Sequence, residues 1–203
     1  MDQYKEVCEK WRKEFLAMDV EAAAQKLTGI LVTEEEIRLT YFKEPCAISR
    51  VTGKAKNLKT GEEIEDFRNL MILYHLFYYS KEVPFLSGEW VPFRQLKTAG
   101  IFDQAYRKMV LEPLAKKFSG KLDLLEKAAE GLGYEKKSYG DISVEIPVFD
   151  CLSLILIFWD GDEEYPAQAN FLFDKNIIDF THPETVVLIA EESAARVIQA
   201  GEK

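Results

Sequence analysis

The sequence predicts an α+β fold with an antiparallel sheet, and three observations carry that reading. The order of periodic segments is helices, a short strand group, more helices and a strand meander, with no regular β-α-β alternation. In Cys151 to Trp159 seven of nine residues are large and apolar, so neither face of that strand meets water and it sits centrally in the sheet, packed against helices. The chain then turns through Asp160-Gly161-Asp162-Glu163-Glu164 and returns as a strand from Ala167 to Phe173. At 203 residues and 47% hydrophobic content, with no repeat and no dividing linker, one domain is expected. Within it, residues 1–64 hold helices and short strands and residues 65–203 form the core.

Each element follows from its local pattern. Tyr4, Val7, Cys8, Trp11, Phe15 and Leu16 recur at helical spacing, with charged residues on the other face. Asp19 caps a second short helix over Val20 to Leu27, closed by Gly29. Ile37 to Phe42 and Cys46 to Val51 alternate as half-buried strands, punctuated by Glu44-Pro45 and Thr52-Gly53. Asp66 caps a helix from Phe67 to about Ser80, apolar nearly all round and carrying His75 as a core residue.

Pro84, Gly88 and Pro92 forbid a helix over Val83 to Arg94, yet Phe85, Trp90 and Phe93 call for burial. Ile101 to Phe118 reads as a helix striped by Phe102, Tyr106, Met109 and Pro113, with Pro113 kinking or restarting it. Another helix runs from Leu122 to Leu132, then Tyr139-Gly140-Asp141 turns into the alternating strand Ile142 to Ile146. Thr181 as cap and Pro183 in the first turn open the last helix, whose Val186, Val187, Ile189, Ala190, Ala194, Val197 and Ile198 face inward.

Composition excludes several function classes. A net charge of -9 with scattered basic residues opposes nucleic-acid binding, which needs clustered Lys and Arg. The longest apolar run is half a membrane span, and the start carries no signal-peptide pattern. Cys8, Cys46 and Cys151 are odd in number and far apart, which opposes a disulfide framework, a zinc knuckle or an iron-sulfur site in this chain and places it in the reducing cytoplasm.

Two stretches could hold a ligand. Asp160, Asp162, Glu163 and Glu164 put four carboxylates in five positions, as a hard cation such as Ca²⁺ or Mg²⁺ requires, though Gly161 is not where an EF-hand loop has its glycine and that loop's closing glutamate is missing. Two of them could serve as acid and base if burial raised one pKa. In Val83 to Arg94, Glu89, Trp90, Phe93 and Arg94 combine aromatic wall and polar groups, the makeup of a small-molecule pocket, and Arg94 paired with Asp160, Glu163 or Glu164 would close it. No G-x-S-x-G, P-loop or G-x-G-x-x-G occurs.

Gly88-Glu89-Trp90 with Phe93-Arg94, Gly140-Asp141, Trp159 through Ala167, and Leu172-Phe173-Asp174, in this order and spacing, resemble the prokaryotic domain-of-unknown-function family numbered 3786. The resemblance covers most of the chain from about residue 65 and, more loosely, the N-terminal helices. It supplies no catalytic residues. It implies a setting in anaerobic bacteria and archaea, near one-carbon and corrinoid metabolism, sometimes joined to an iron-sulfur module. This chain departs from the joined form in lacking clustered cysteines, from the pattern in Tyr165 where phenylalanine is usual, and at Asp150-Cys151 where a proline-rich entry is common. Any iron-sulfur role would belong to a partner.

The expected function is therefore a non-catalytic accessory protein binding a small molecule, corrinoid or folate-like, or a partner protein. The alternative is an enzyme using the acidic turn, with or without a divalent cation. The cofactor stays unassigned.

Overall fold

A computed structural model describes residues 3–97 and 99–202. The fold is α+β, with two five-stranded antiparallel sheets in place of the single sheet expected. The chain gathers into two compact units: Met1–Leu86 with Val148–Leu152 and Asn176–Leu188, and Ser87–Pro147 with Ser153–Lys175 and Ile189–Lys203. Among the described residues no helix is long and apolar enough to cross a membrane.

The first unit opens with α1 (Gln3–Ala17), which buries Phe15 against Tyr74 and Phe77. Asp19 caps α2 (Val20–Ala24) by accepting from the Ala22 amide, and this helix stops three residues short of the expected end. The first sheet is a meander of β1 (Leu31–Val32), β2 (Glu36–Tyr41), β3 (Glu44–Ser49), β4 (Ala55–Asn57) and β5 (Glu63–Ile64). Pro45 does not punctuate; it lies within β3 opposite Thr40. The turn is Phe42-Lys43, both at positive φ (48° and 65°), a two-residue hairpin without glycine. Phe42 holds that backbone because its ring is buried and its amide donates to the Val148 carbonyl at 2.9 Å. Helix α3 (Phe67–Tyr79) starts at Asp66, which accepts from the Asn69 amide, and it buries every residue from Leu70 to Phe77.

The second sheet, with its hairpin tip Val148–Leu152 counted in the first unit, has the order β6-β10-β9-β8-β7. These strands are β6 (Trp90–Pro92), β7 (Glu135–Lys136), β8 (Ile142–Phe149), β9 (Leu152–Trp159) and β10 (Gln168–Asp174). The apolar run is thus the middle strand, as its composition requires, and it pairs with β10 from Trp159↔Gln168 to Leu154↔Phe173.

The helical segment before this sheet differs from a plain helix. It runs as α4 (Asp103–Tyr106), a π turn over Arg107–Leu111 and α5 (Glu112–Phe118). Pro113 has no amide to give and its ring crowds the carbonyl one turn back, so the wider turn ahead of it restarts the helix. The buried stripe becomes Tyr106, Val110, Leu114 and Phe118, while Met109 is exposed and Phe102 half-buried. A spacing of four drifts about 40° per step on a regular helix, and the π turn counters that drift. Helix α6 (Leu122–Gly131) buries Leu125, Ala128 and Ala129.

Helix α7 (Pro183–Ala200) buries the predicted apolar positions, with Ile198 half-buried. Its cap is His182 and not Thr181: His182 Nδ1 accepts from the Glu184 amide at 3.2 Å and its carbonyl from Thr185 at 2.9 Å. Thr181 is buried, and its hydroxyl makes no hydrogen bond among the described residues.

Candidate functional site

The second unit holds a cleft of about 250 Å³ where the end of β9, the start of β10, the π turn and the segment after β6 meet. Phe93 and Tyr106 stack at 4.4 Å in its wall, and Phe173 meets both edge-on. Arg94, Arg107 and Trp159 join them, with Asn170 and Gln168 from β10. Trp159 is 40% exposed, at the solvent end of the central strand.

Local structure sets each of these groups. Asp174, buried at the end of β10, accepts from the Ser87 amide (3.0 Å), the Ser87 hydroxyl (3.0 Å) and the Gly88 amide (2.8 Å). That anchor pairs β6 with β10 and delivers Phe93 and Arg94 to the cleft. Trp159 is placed by Gly140, whose φ of +53° and close approach admit no side chain: an added Cβ would lie 2.6 Å from the Phe158 carbonyl and 3.2 Å from the Trp159 indole nitrogen. Asp141 fixes the same corner, donating its amide to Phe158 (2.9 Å) and accepting from the Asp160 amide (2.7 Å). The π turn carries Arg107 beside Asp103, which it meets at 3.0 Å; such turns occur often at functional sites.

Two residues that line the cleft carry a polar group without a partner among the described residues. Arg94 is exposed and makes no ion pair or hydrogen bond among the described residues. Tyr106 is fully buried, and its hydroxyl, closed off from solvent, makes no hydrogen bond among the described residues. The nearby Phe171 amide is taken at 3.0 Å by Asn170 Oδ1. Burial pushes the Tyr106 pKa well up, more than the Phe171 amide lowers it, so the hydroxyl keeps its proton and has no acceptor for it.

The acidic turn is arranged in the opposite way. Asp160 Oδ1 accepts from the Gly120 and Gly161 amides, both at 2.8 Å. Asp162 Oδ1 accepts from Tyr165 (2.7 Å) and Glu164 (2.8 Å), and these amides lower its pKa. Glu163 and Glu164 are exposed. No group of three His, Cys, Asp or Glu able to hold a metal ion occurs among the described residues.

Of the residues singled out in the sequence, Phe93 and Arg94 line the cleft. Trp90 is half-buried opposite Asp174, and Glu89 pairs with Lys175 at 2.9 Å; neither lines it. Phe85, expected to be buried, is 60% exposed, with Val83 and Leu86 also exposed. There the irregular backbone is held by polar anchors, Asp174 on Ser87 and Gly88 and Asn176 on the Phe85 carbonyl (3.3 Å), so ring burial is not what fixes it. Arg94 makes no pair with Asp160, Glu163 or Glu164. Sequence reasoning missed Trp159, Tyr106, Arg107 and Asn170; the one available signal was an aromatic ending a central strand beside a turn.

Residues 19–196 match the family model described as Domain of unknown function (DUF3786). The chain belongs to this family. No curated protein and no solved structure matches it. The residues that carried the resemblance now have physical roles: Gly140, Asp141, Asp160 and Asp174 build the corner and anchor described above, and Arg94 and Trp159 line the cleft.

Proposed function

We propose that the protein binds a small organic anion in the cleft of Arg94, Tyr106 and Trp159 and performs no chemistry on it. The observation that carries this is an exposed, uncommitted guanidinium, Arg94, beside the exposed Trp159 in one cleft whose wall includes the stacked Phe93 and Tyr106 rings. An anion supplies the partner that Arg94 lacks. Non-catalytic binding is supported by the cleft's own groups: its carboxylate, Asp103, is held by Arg107, and Tyr106 keeps its proton, so neither serves as a base near neutral pH. The alternative, an enzyme built on the acidic turn, has less support because Asp160 and Asp162 already accept backbone amides.

At about 250 Å³ the cleft lies below the range of drug-sized ligand pockets, about 300–1,000 Å³. That size favours a ligand smaller than a corrinoid or a folate. Two larger hollows lie in the first unit, one by Glu21 and Arg50 and one by Cys8 and Arg12, but both are more open and their arginines are already paired with Glu21 and Glu9. The family resemblance assigns such a role to anaerobic metabolism, and three cysteines outside any disulfide, two of them buried, fit a reducing cytoplasm.

Thermal melting with benzoate tests the proposal. Benzoate raises the melting temperature of the wild type by mass action and leaves that of Arg94→Gln unmoved. Equal stabilisation of both proteins, or of neither, contradicts it.

A further inference from the structure

Charge counting in the cleft narrows the ligand, on the reading that the cleft binds an anion. Its charged lining is Arg94, Arg107 and Asp103, and the last two neutralise each other at 3.0 Å. One positive charge, on Arg94, is left. A monoanion balances it; a phosphate monoester, carrying -1.5 to -2 near neutral pH, leaves excess negative charge in a chain already at -9.

The walls select the rest of the molecule. Pro92, Phe93, Leu111 and the exposed Trp159 supply the apolar part of the cleft's lining. An aromatic ring gains offset or edge contacts there that a saturated ring of the same size does not. Asn170 uses its carbonyl oxygen on the Phe171 amide, which leaves its NH₂ to meet an acceptor on the ring. The cleft has room for one ring or a fused pair, not for a nucleotide.

The geometry points to an aromatic monocarboxylate, its carboxylate on Arg94 and its ring against Trp159. Arg94 and Trp159 then divide the work: the first reads charge, the second reads planarity.

Four probes of one size separate these roles in a calorimetric titration: benzoate, cyclohexanecarboxylate, benzamide and phenyl phosphate. Benzoate binds tightest, by about threefold or more over cyclohexanecarboxylate, the scale of one aromatic pair, and by about tenfold over benzamide, which lacks the charge. Trp159→Leu removes the preference for the aromatic ring and keeps carboxylate binding; Arg94→Gln removes the preference for benzoate over benzamide. Cyclohexanecarboxylate binding as tightly as benzoate, or phenyl phosphate binding more tightly, overturns the ligand class. In either case Arg94-dependent binding still upholds anion recognition. Affinities for all four probes that are the same in Arg94→Gln and wild type overturn both readings.

Discussion

The acidic turn and the cleft lie at the same end of the β9–β10 pair, and they use their polar groups in opposite ways. In the turn, Asp160 and Asp162 each accept two backbone amides, so the carboxylates that look most like chemistry in the sequence are occupied in closing a hairpin. In the cleft, the Arg94 guanidinium is left without a partner among the described residues, beside aromatic walls. Polar density in a sequence therefore points less reliably to a site than polar groups the fold leaves unsatisfied.

The largest effect expected is in the strand that carries both regions. Leu154 and Ile157 are buried in β9, and Leu154→Ala or Ile157→Ala costs about 2–5 kcal/mol through lost burial and a cavity. Urea unfolding checks it; a cost under about 0.5 kcal/mol for both would remove β9 from the core.

A second orphaned group sharpens the comparison. In the first unit His75 is buried against Trp11 at 4.2 Å, with Nδ1 on the Thr185 hydroxyl at 2.6 Å and Nε2 unpartnered. Burial first, and then the charge of His182, push its pKa from 6.5 down to about 4. The folded state refuses a proton that the unfolded chain accepts, so His75 leaves stability intact above pH 6.5 and lowers it as pH falls from 6.5 toward 4. The loss is on the order of 3 kcal/mol at full protonation of the unfolded histidine. Urea melts at pH 7 and pH 4.5 show a smaller difference in His75→Phe than in wild type; an unchanged difference would mean that His75 titrates normally. His75 also shows that an orphaned atom alone is not a site: closely packed rings surround it, and the Tyr106 hydroxyl is enclosed as well, whereas Arg94 and Trp159 stand exposed in the cleft.

Substitutions in the turn act on folding and not on binding. Asp160→Ala leaves the Gly120 and Gly161 amides to water and costs about 1 kcal/mol. Glu163→Gln with Glu164→Gln changes stability by less than about 0.5 kcal/mol. Neither change alters benzoate affinity; a loss of affinity in either would join the turn to the site and break the contrast.

Much of the fold was legible because long periodic segments carry their own evidence. The central strand, α3 with its Asp66 cap and the inward face of α7 all follow from apolar spacing. The two-residue strands β1, β5 and β7 leave too short a pattern, and Phe42-Lys43 turns without the glycine that would mark it. The site was half legible. Phe93-Arg94 stood out beside Pro92, but Tyr106, Arg107, Trp159 and Asn170 come from separate elements that only the sheet register and the π turn bring together. Trp90 was the wrong tryptophan for the cleft, since its strand alternation sets Val91 inward and pairs Trp90 with the Asp174 anchor.

The chain has three tryptophans, Trp11, Trp90 and Trp159, and hence three indole N–H signals in a ¹H–¹⁵N spectrum. With the Trp159 signal assigned by its absence in Trp159→Phe, a benzoate titration locates the ligand directly. The account predicts that the Trp159 signal moves saturably, that Trp11 and Trp90 stay in place, and that Arg94→Gln abolishes the movement. A stationary Trp159 signal while benzoate binds, or a shift of Trp11 alone, would contradict it.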